Sequence, residues 1–305
     1  MSVSAQELAA LSGTPARRPL WREYLALTKP RVVAMMLFTV VVGMLLAGQE
    51  LPPWPLLLGT TAGIGLVAGA AAALNHLVDR RIDGLMARTR ARPLPRGRLG
   101  PAQVAGFATL LGLAGLALLL RWANPLCAAL TLASLLGYAV VYSLFLKHAT
   151  PQNIVIGGAA GAAPPLLGWV AVTGQLDGGA WLLFLIIFVW TPPHFWALAI
   201  HRRDDYARAD VPMLPVTHGL AFTADRVLAY ALALLPISLL PVAIGMSGPL
   251  YGVGALLLGL RFVVLARRLR AGGRVETALA MPTFRYSIVY LFGVFGLLLA
   301  DHYLR

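Results

Sequence analysis

Long apolar runs separated by short polar breaks set the rhythm of this chain, and their length identifies the solvent they are built for. A helix needs roughly 20 mostly apolar residues to cross the hydrocarbon core of a bilayer. Nine segments meet that condition: 31–48, 54–75, 102–120, 125–145, 153–173, 181–200, 226–246, 249–266 and 285–303. The expected fold is therefore an all-α integral membrane protein with nine transmembrane helices. Glycine and proline recur inside the runs, as membrane helices tolerate when neighbours satisfy the freed backbone groups. The small-residue run from Gly157 to Ala163 suits close approach of two helices.

Composition supports the same class. Of 305 residues, 59% are hydrophobic and 12% charged, with a mean hydropathy of +0.76. This is more apolar than a soluble core requires. Residues 1–30 form a polar leader without the apolar h-region of a secretory signal, and residues 31–305 form the membrane domain. The single cysteine, Cys127, lies in an apolar stretch, which leaves no disulfide framework and no cysteine metal site.

A net charge of +13 in a soluble chain would suggest nucleic acid. Here the charges mark sidedness, because Lys and Arg accumulate on the cytoplasmic side of span ends. Nine spans place 23 of the 25 basic residues on one face and leave Arg121 and Arg305 on the other. The amino terminus is thus expected in the cytoplasm and the carboxyl terminus outside. The partner implied is the lipid bilayer, with no nucleic acid. The inner loops after spans two and six exceed twenty residues, whereas the outer connections are short. Long loops of this kind commonly carry function.

The inner end of span two holds Asn75, Asp79 and Asp83 at four-residue intervals. That spacing puts two carboxylates and an amide oxygen on one helical face. Hard cations such as Mg²⁺ take oxygen ligands, often one or two carboxylates plus substrate phosphate. A plain reading, in which Asp79 and Asp83 pair with nearby arginines at a helix end, competes with it. The loop after span six adds Arg202-Arg203-Asp204-Asp205-Tyr206-Ala207-Arg208-Ala209-Asp210. Two acidic clusters flanked by arginines suit a diphosphate that metal bridges and guanidinium groups clamp.

The motif Asn75-xxx-Asp79-xxx-Asp83, followed by Arg88-Thr89-Arg90-Ala91-Arg92-Pro93-Leu94, resembles the first motif of the intramembrane (UbiA-type) prenyltransferase superfamily. Leu27-Thr28-Lys29-Pro30-Arg31, Lys147 to Ala162, Trp190-Thr191-Pro192-Pro193-His194-Phe195-Trp196 and Asp204-Asp205-Tyr206 through Pro215 resemble its protohaem IX farnesyltransferase branch. The similarity runs over roughly residues 25–300. It implies nine helices around a central lipid-accessible cavity. It also implies farnesyl transfer from farnesyl diphosphate to a vinyl group of protohaem IX, giving haem O, with Mg²⁺ as cofactor and a downstream haem-modifying enzyme as partner. The second cluster departs from the Asp-xxx-Asp spacing common in the superfamily. Asp204, Asp205 and Asp210 all stay open as ligands there, with Asp205 the one placed in the metal set.

On this reading Asn75, Asp79, Asp83, Asp204 and Asp205 carry the chemistry, and Asn75, Asp79, Asp83 and Asp205 hold metal. Arg88, Arg92, Lys147, Asn153, His194, Arg202 and Tyr206 bind substrate. Lys147 has an even alternative as a snorkelling lysine, and His194 as a helix-packing histidine bonded to the backbone. His76 lies off the Asn75 face and is read as structural. Two other functions compete for the same residues. One is prenyl transfer to another acceptor, such as a quinone precursor. The other is cation or lipid transport, which the grouping of acids at one face rather than at the midplane disfavours.

Overall fold

A computed structural model describes residues 19–86, 89–271 and 274–305 of the protein. Among these residues the spanning helices are α1 (Pro30–Leu46), α2 (Trp54–Val78), α3 (Pro101–Trp122), α4 (Pro125–Leu146), α5 (Asn153–Thr173), α6 (Gly178–His201), α7 (Gly219–Ala243), α8 (Pro249–Leu269) and α9 (Ala280–Leu304). Eight are long and apolar enough to cross a bilayer alone. The ninth, α1, does so together with a short helix, Leu20–Leu27, that meets it at 49°. Seventeen residues of α1 span only about 25 Å, and the bent segment adds the length that α1 alone lacks.

Local sequence explains most of the helix starts. α1, α2, α3, α4 and α8 each have a proline within their first two positions, where a backbone N–H would have no acceptor. Asn124 caps α4 by accepting from the Cys127 N–H at 2.8 Å. Asp177 caps α6 through the N–H groups of Gly179 and Ala180 and also accepts from Trp169 Nε1 at 2.9 Å.

Two ends differ from the apolar runs. α7 begins at Gly219 and α9 at Ala280, several residues before the hydrophobic stretches. The first turns of α7 therefore carry Asp225 and Arg226. Asp225 pairs there with Arg270 at 2.8 Å.

Consecutive helices pack side by side, and α1, α5, α6 and α9 also close a ring of contacts, α1 with α5, α5 with α6, α6 with α9 and α9 with α1. α6 is the most enclosed span, whereas α3 and α4 turn most of their surface outward. Their exposed Leu110, Leu113, Leu120, Leu144 and Phe145 form the apolar surface that lipid requires.

Where α1 crosses α5 the backbones touch. A Cβ on Gly168 would sit 2.1 Å from the Val40 carbonyl oxygen, and one on Gly43 would sit 2.1 Å from that of Pro165. Gly63 and Gly115 join α2 to α3 in the same reciprocal way. Within the expected small-residue run, Gly157 lies against the Tyr142 ring and Gly158 against Thr191, while Gly161 faces open space. Part of that run thus serves close packing, although the tightest crossing lies elsewhere.

The second half of α4, Gly137–Leu146, is a π-helix. Its wider turn changes which side chains face α2, and Ser143 reaches Asn75 as a result.

Candidate active site

At one end of the bundle the helical ladder of α2 runs on into a short helix, Arg80–Leu85. The Asp79 N–H bonds the Asn75 carbonyl at 2.9 Å and the Asp83 N–H bonds that of Asp79 at 2.8 Å. Continuity of this ladder keeps the four-residue register intact, and Asn75, Asp79 and Asp83 are all buried. The expected face exists.

Cations drawn from three other segments surround it. Lys147, at the end of the π-helix, meets Asp79 Oδ2 at 2.7 Å. The loop after Met86 turns back because the buried Thr89 hydroxyl donates to the Asp83 carbonyl at 2.9 Å. This brings Arg92 Nη1 to 2.8 and 2.7 Å from the two Asp83 carboxylate oxygens. Asn75 links the set: its Nδ2 donates to Asp79 Oδ2 at 2.9 Å and to Ser143 Oγ at 3.2 Å, while its Oδ1 accepts from Lys29 Nζ at 2.6 Å.

Lys29 was given no role by the sequence reading. It occupies the break between the short helix and α1, with a left-handed backbone (φ 49°, ψ 57°) immediately before Pro30. A non-glycine residue there costs about 1 kcal/mol or more and persists only where its surroundings demand it. The demand here is the bond to Asn75. The Lys29 ammonium thereby joins Lys147 and Arg92 over the acidic face. Its available signal was scarcity, since Lys29 and Lys147 are the chain's two lysines.

Asn153 is fully buried at the start of α5 and donates to the Lys147 carbonyl at 3.3 Å. Its Oδ1, like Asp79 Oδ1, is buried without a hydrogen-bond donor. The second loop forms a short helix, Arg203–Arg208, in which Asp205 pairs with Arg202 at 3.3 Å and with Arg208. Asp204 and Asp210 point to solvent, and Asp210 has a left-handed backbone (φ 50°). Tyr206 lies near Tyr142 of α4 and packs with Ile82, Met86 and Ile154 on an apolar floor shared by both loops. Among the described residues, no three of His, Cys, Asp and Glu lie close enough to share one metal ion. Arg88 falls outside the described residues.

His194 lies deeper, two turns along α6 from His201. Trp190 stacks on its ring at 4.2 Å between centroids and Phe284 at 4.6 Å, and Nδ1 is 2.6 Å from Ser287 Oγ on α9. His76 is enclosed, and neither ring nitrogen has a hydrogen-bond partner.

A model of the UbiA prenyltransferase family matches residues 36–289. The chain belongs to the UbiA prenyltransferase family. Among curated relatives of this UbiA-family chain, the protoheme IX farnesyltransferase of Azotobacter vinelandii is 62% identical over 297 residues, covering 97% of this chain and 99% of the relative. That of Ectopseudomonas mendocina is 62% identical over 93% of this chain and 94% of its own length. Among solved structures, a digeranylgeranylglyceryl phosphate synthase superposes with a TM-score of 0.79 at 18% identity, covering 93% of this chain and 99% of that one. A UbiA homologue from Archaeoglobus fulgidus bound to GPP and Mg²⁺ superposes with a TM-score of 0.65 at 14% identity, covering 90% of this chain and 99% of that one. These likenesses establish the fold.

Proposed function

We propose that this chain transfers the farnesyl group of farnesyl diphosphate to a vinyl group of protohaem IX, giving haem O for terminal oxidases. The observation that carries the reading is the near full-length identity to relatives bearing that activity in their name. The site supports it chemically. Lys29, Lys147 and Arg92 converge on Asn75, Asp79 and Asp83 at the end of a membrane helix. Such a cluster suits an anion that must be held while it leaves.

The donor set fits Mg²⁺. Buried oxygens without donors, such as Asp79 Oδ1 and Asn153 Oδ1, are costly unless something completes them. Asn75, Asp79 and Asp83 on the α2 face and Asp205 on the second loop would hold Mg²⁺ without any one ion taking all three carboxylates, and the metal when bound neutralises charge on the leaving diphosphate. Lys147, Arg92 and Arg202 would then turn toward phosphate oxygens and free the carboxylates they pair with, and Lys29 and Arg88 would add further phosphate contacts. Asp204 borders the same loop, while Asn153 and Tyr206 shape the wall.

The allylic carbon–oxygen bond breaks and the diphosphate leaves with the electron pair. A haem vinyl carbon forms the new bond to farnesyl C1, and water supplies the hydroxyl and loses a proton. His194 faces the acceptor. No nucleophilic side chain of the protein is required.

On this reading residues 1–30 lead from the cytoplasm through the helix Leu20–Leu27 into the prenyltransferase domain of residues 31–305, with the amino terminus inside and the carboxyl terminus outside. In a bacterium that membrane is the inner one. The product then passes to a haem-modifying enzyme. Incubating purified protein with Mg²⁺, farnesyl diphosphate and protohaem tests the whole reading. Haem gaining one farnesyl and one hydroxyl is the expected product by mass, and unchanged haem overturns the proposal.

A further inference from the structure

Ser287 makes two short contacts through one oxygen. Its Oγ is 2.6 Å from the Phe284 carbonyl oxygen and 2.6 Å from His194 Nδ1. The hydroxyl has one proton, and two oxygens at that separation repel unless it lies between them. The proton therefore goes to Phe284, and Oγ accepts from His194, which must carry hydrogen on Nδ1. This fixes the tautomer and leaves Nε2 as a bare lone pair.

The surroundings hold that lone pair in place. Trp190 and Phe284 sandwich the imidazole, and Trp190 Nε1 donates to the Ser287 carbonyl at 2.7 Å, tying α6 to α9 at the same point. His194 keeps 8% of its surface exposed, whereas His76 keeps 3% and both of its ring nitrogens are enclosed without a partner. A neutral imidazole whose second nitrogen donates to a fixed acceptor is the usual form of a metal-ligating histidine, because that bond sets the tautomer and raises basicity.

From this geometry we propose that His194 Nε2 binds the iron of the porphyrin acceptor and that Ser287 positions it by fixing its tautomer. The inference rests on the reading of the acceptor as protohaem and deepens it, since iron ligation orients the ring rather than reacting with it. His194 starts two helical turns, about 10 Å, from the inner end of α6.

The test compares iron protoporphyrin IX with metal-free protoporphyrin IX on the full chain in nanodiscs. Absorption spectra and quenching of tryptophan fluorescence report binding. The protein should prefer the iron form by about tenfold or more, with a nitrogen-ligated iron spectrum. His194→Ala should abolish the preference and the spectrum, and added imidazole should restore the spectrum. Ser287→Ala should weaken the iron preference by about tenfold while leaving metal-free porphyrin binding alone, and Ser287→Thr should restore it.

Equal affinity for the two porphyrins, or an unchanged spectrum in His194→Ala, overturns the proposal. Should His194→Ala fail to fold, Ser287→Ala and the wild-type comparison decide the matter. Farnesyl transfer to protohaem by a chain that shows no iron preference would overturn iron ligation alone. Absence of transfer would overturn the underlying reading.

Discussion

At the scale of single residues the site is a set of ion pairs whose members differ in burial, and that difference separates chemistry from stability. Asp79→Ala and Asp83→Ala should nearly abolish turnover while leaving a folded bundle, because the cations they release, Lys147 and Arg92, keep 16% and 19% of their side chains exposed. Robust activity in either variant would return both residues to a purely structural role. Arg92→Ala should behave differently. It leaves the buried Asp83 carboxylate unpaired, so it should cost about 3 kcal/mol in unfolding and also weaken diphosphate binding at saturating Mg²⁺. Asp205→Asn should weaken Mg²⁺-dependent binding of farnesyl diphosphate and spare haem binding. Titration showing the reverse would assign the second loop to the acceptor. The Asn75, Asp79, Asp83 face was legible because four-residue spacing on a helix is a local property. The approach of Lys29 and the folding-back of Arg92 were not, since each depends on a turn that joins segments far apart in sequence.

At the scale of helices, glycine works by absence. Gly168→Ala should lower the melting temperature of the detergent-purified protein, at a cost of about 2 kcal/mol or more, because its Cβ would press into the Val40 carbonyl. Gly161→Ala, with nothing near its Cβ, should be nearly neutral, and equal shifts for the two would refute the crossing as described. A second device lies at the opposite end of the bundle. Asp301, 1% exposed, accepts from the N–H groups of Gly248 at 2.5 Å and Tyr251 at 3.2 Å and pairs with Arg305 at 3.1 Å. It thereby caps α8 from α9. Asp301→Ala should lower thermal stability by about 2 kcal/mol, measured by unfolding in detergent, without changing substrate affinity. The sequence reading assigned nothing to Asp301, because a capping partner about 50 residues distant leaves no local pattern. The π-helical half of α4 was hidden for the same reason: its apolar residues read as ordinary helix, and the register slips where Ser143 finds Asn75.

At the scale of the whole molecule, the 23-to-2 division of basic residues predicts an internal amino terminus and an external carboxyl terminus. Reporter fusions at the two ends should report opposite sides, and the same side for both would refute the topology. Eight of the nine spans, the crowding of charge in the long loops and the acidic face of α2 follow from the sequence by itself, because hydrophobic length and helical period act residue by residue, whereas the first span reaches its length only with the helix Leu20–Leu27. Tertiary structure alone decided which cation meets which carboxylate, why Lys29 accepts a strained backbone, where two helices touch through glycine and which hydroxyl His194 Nδ1 meets. Each of these is a contact between distant segments, and its energy exists only once packing has brought the partners within hydrogen-bonding reach.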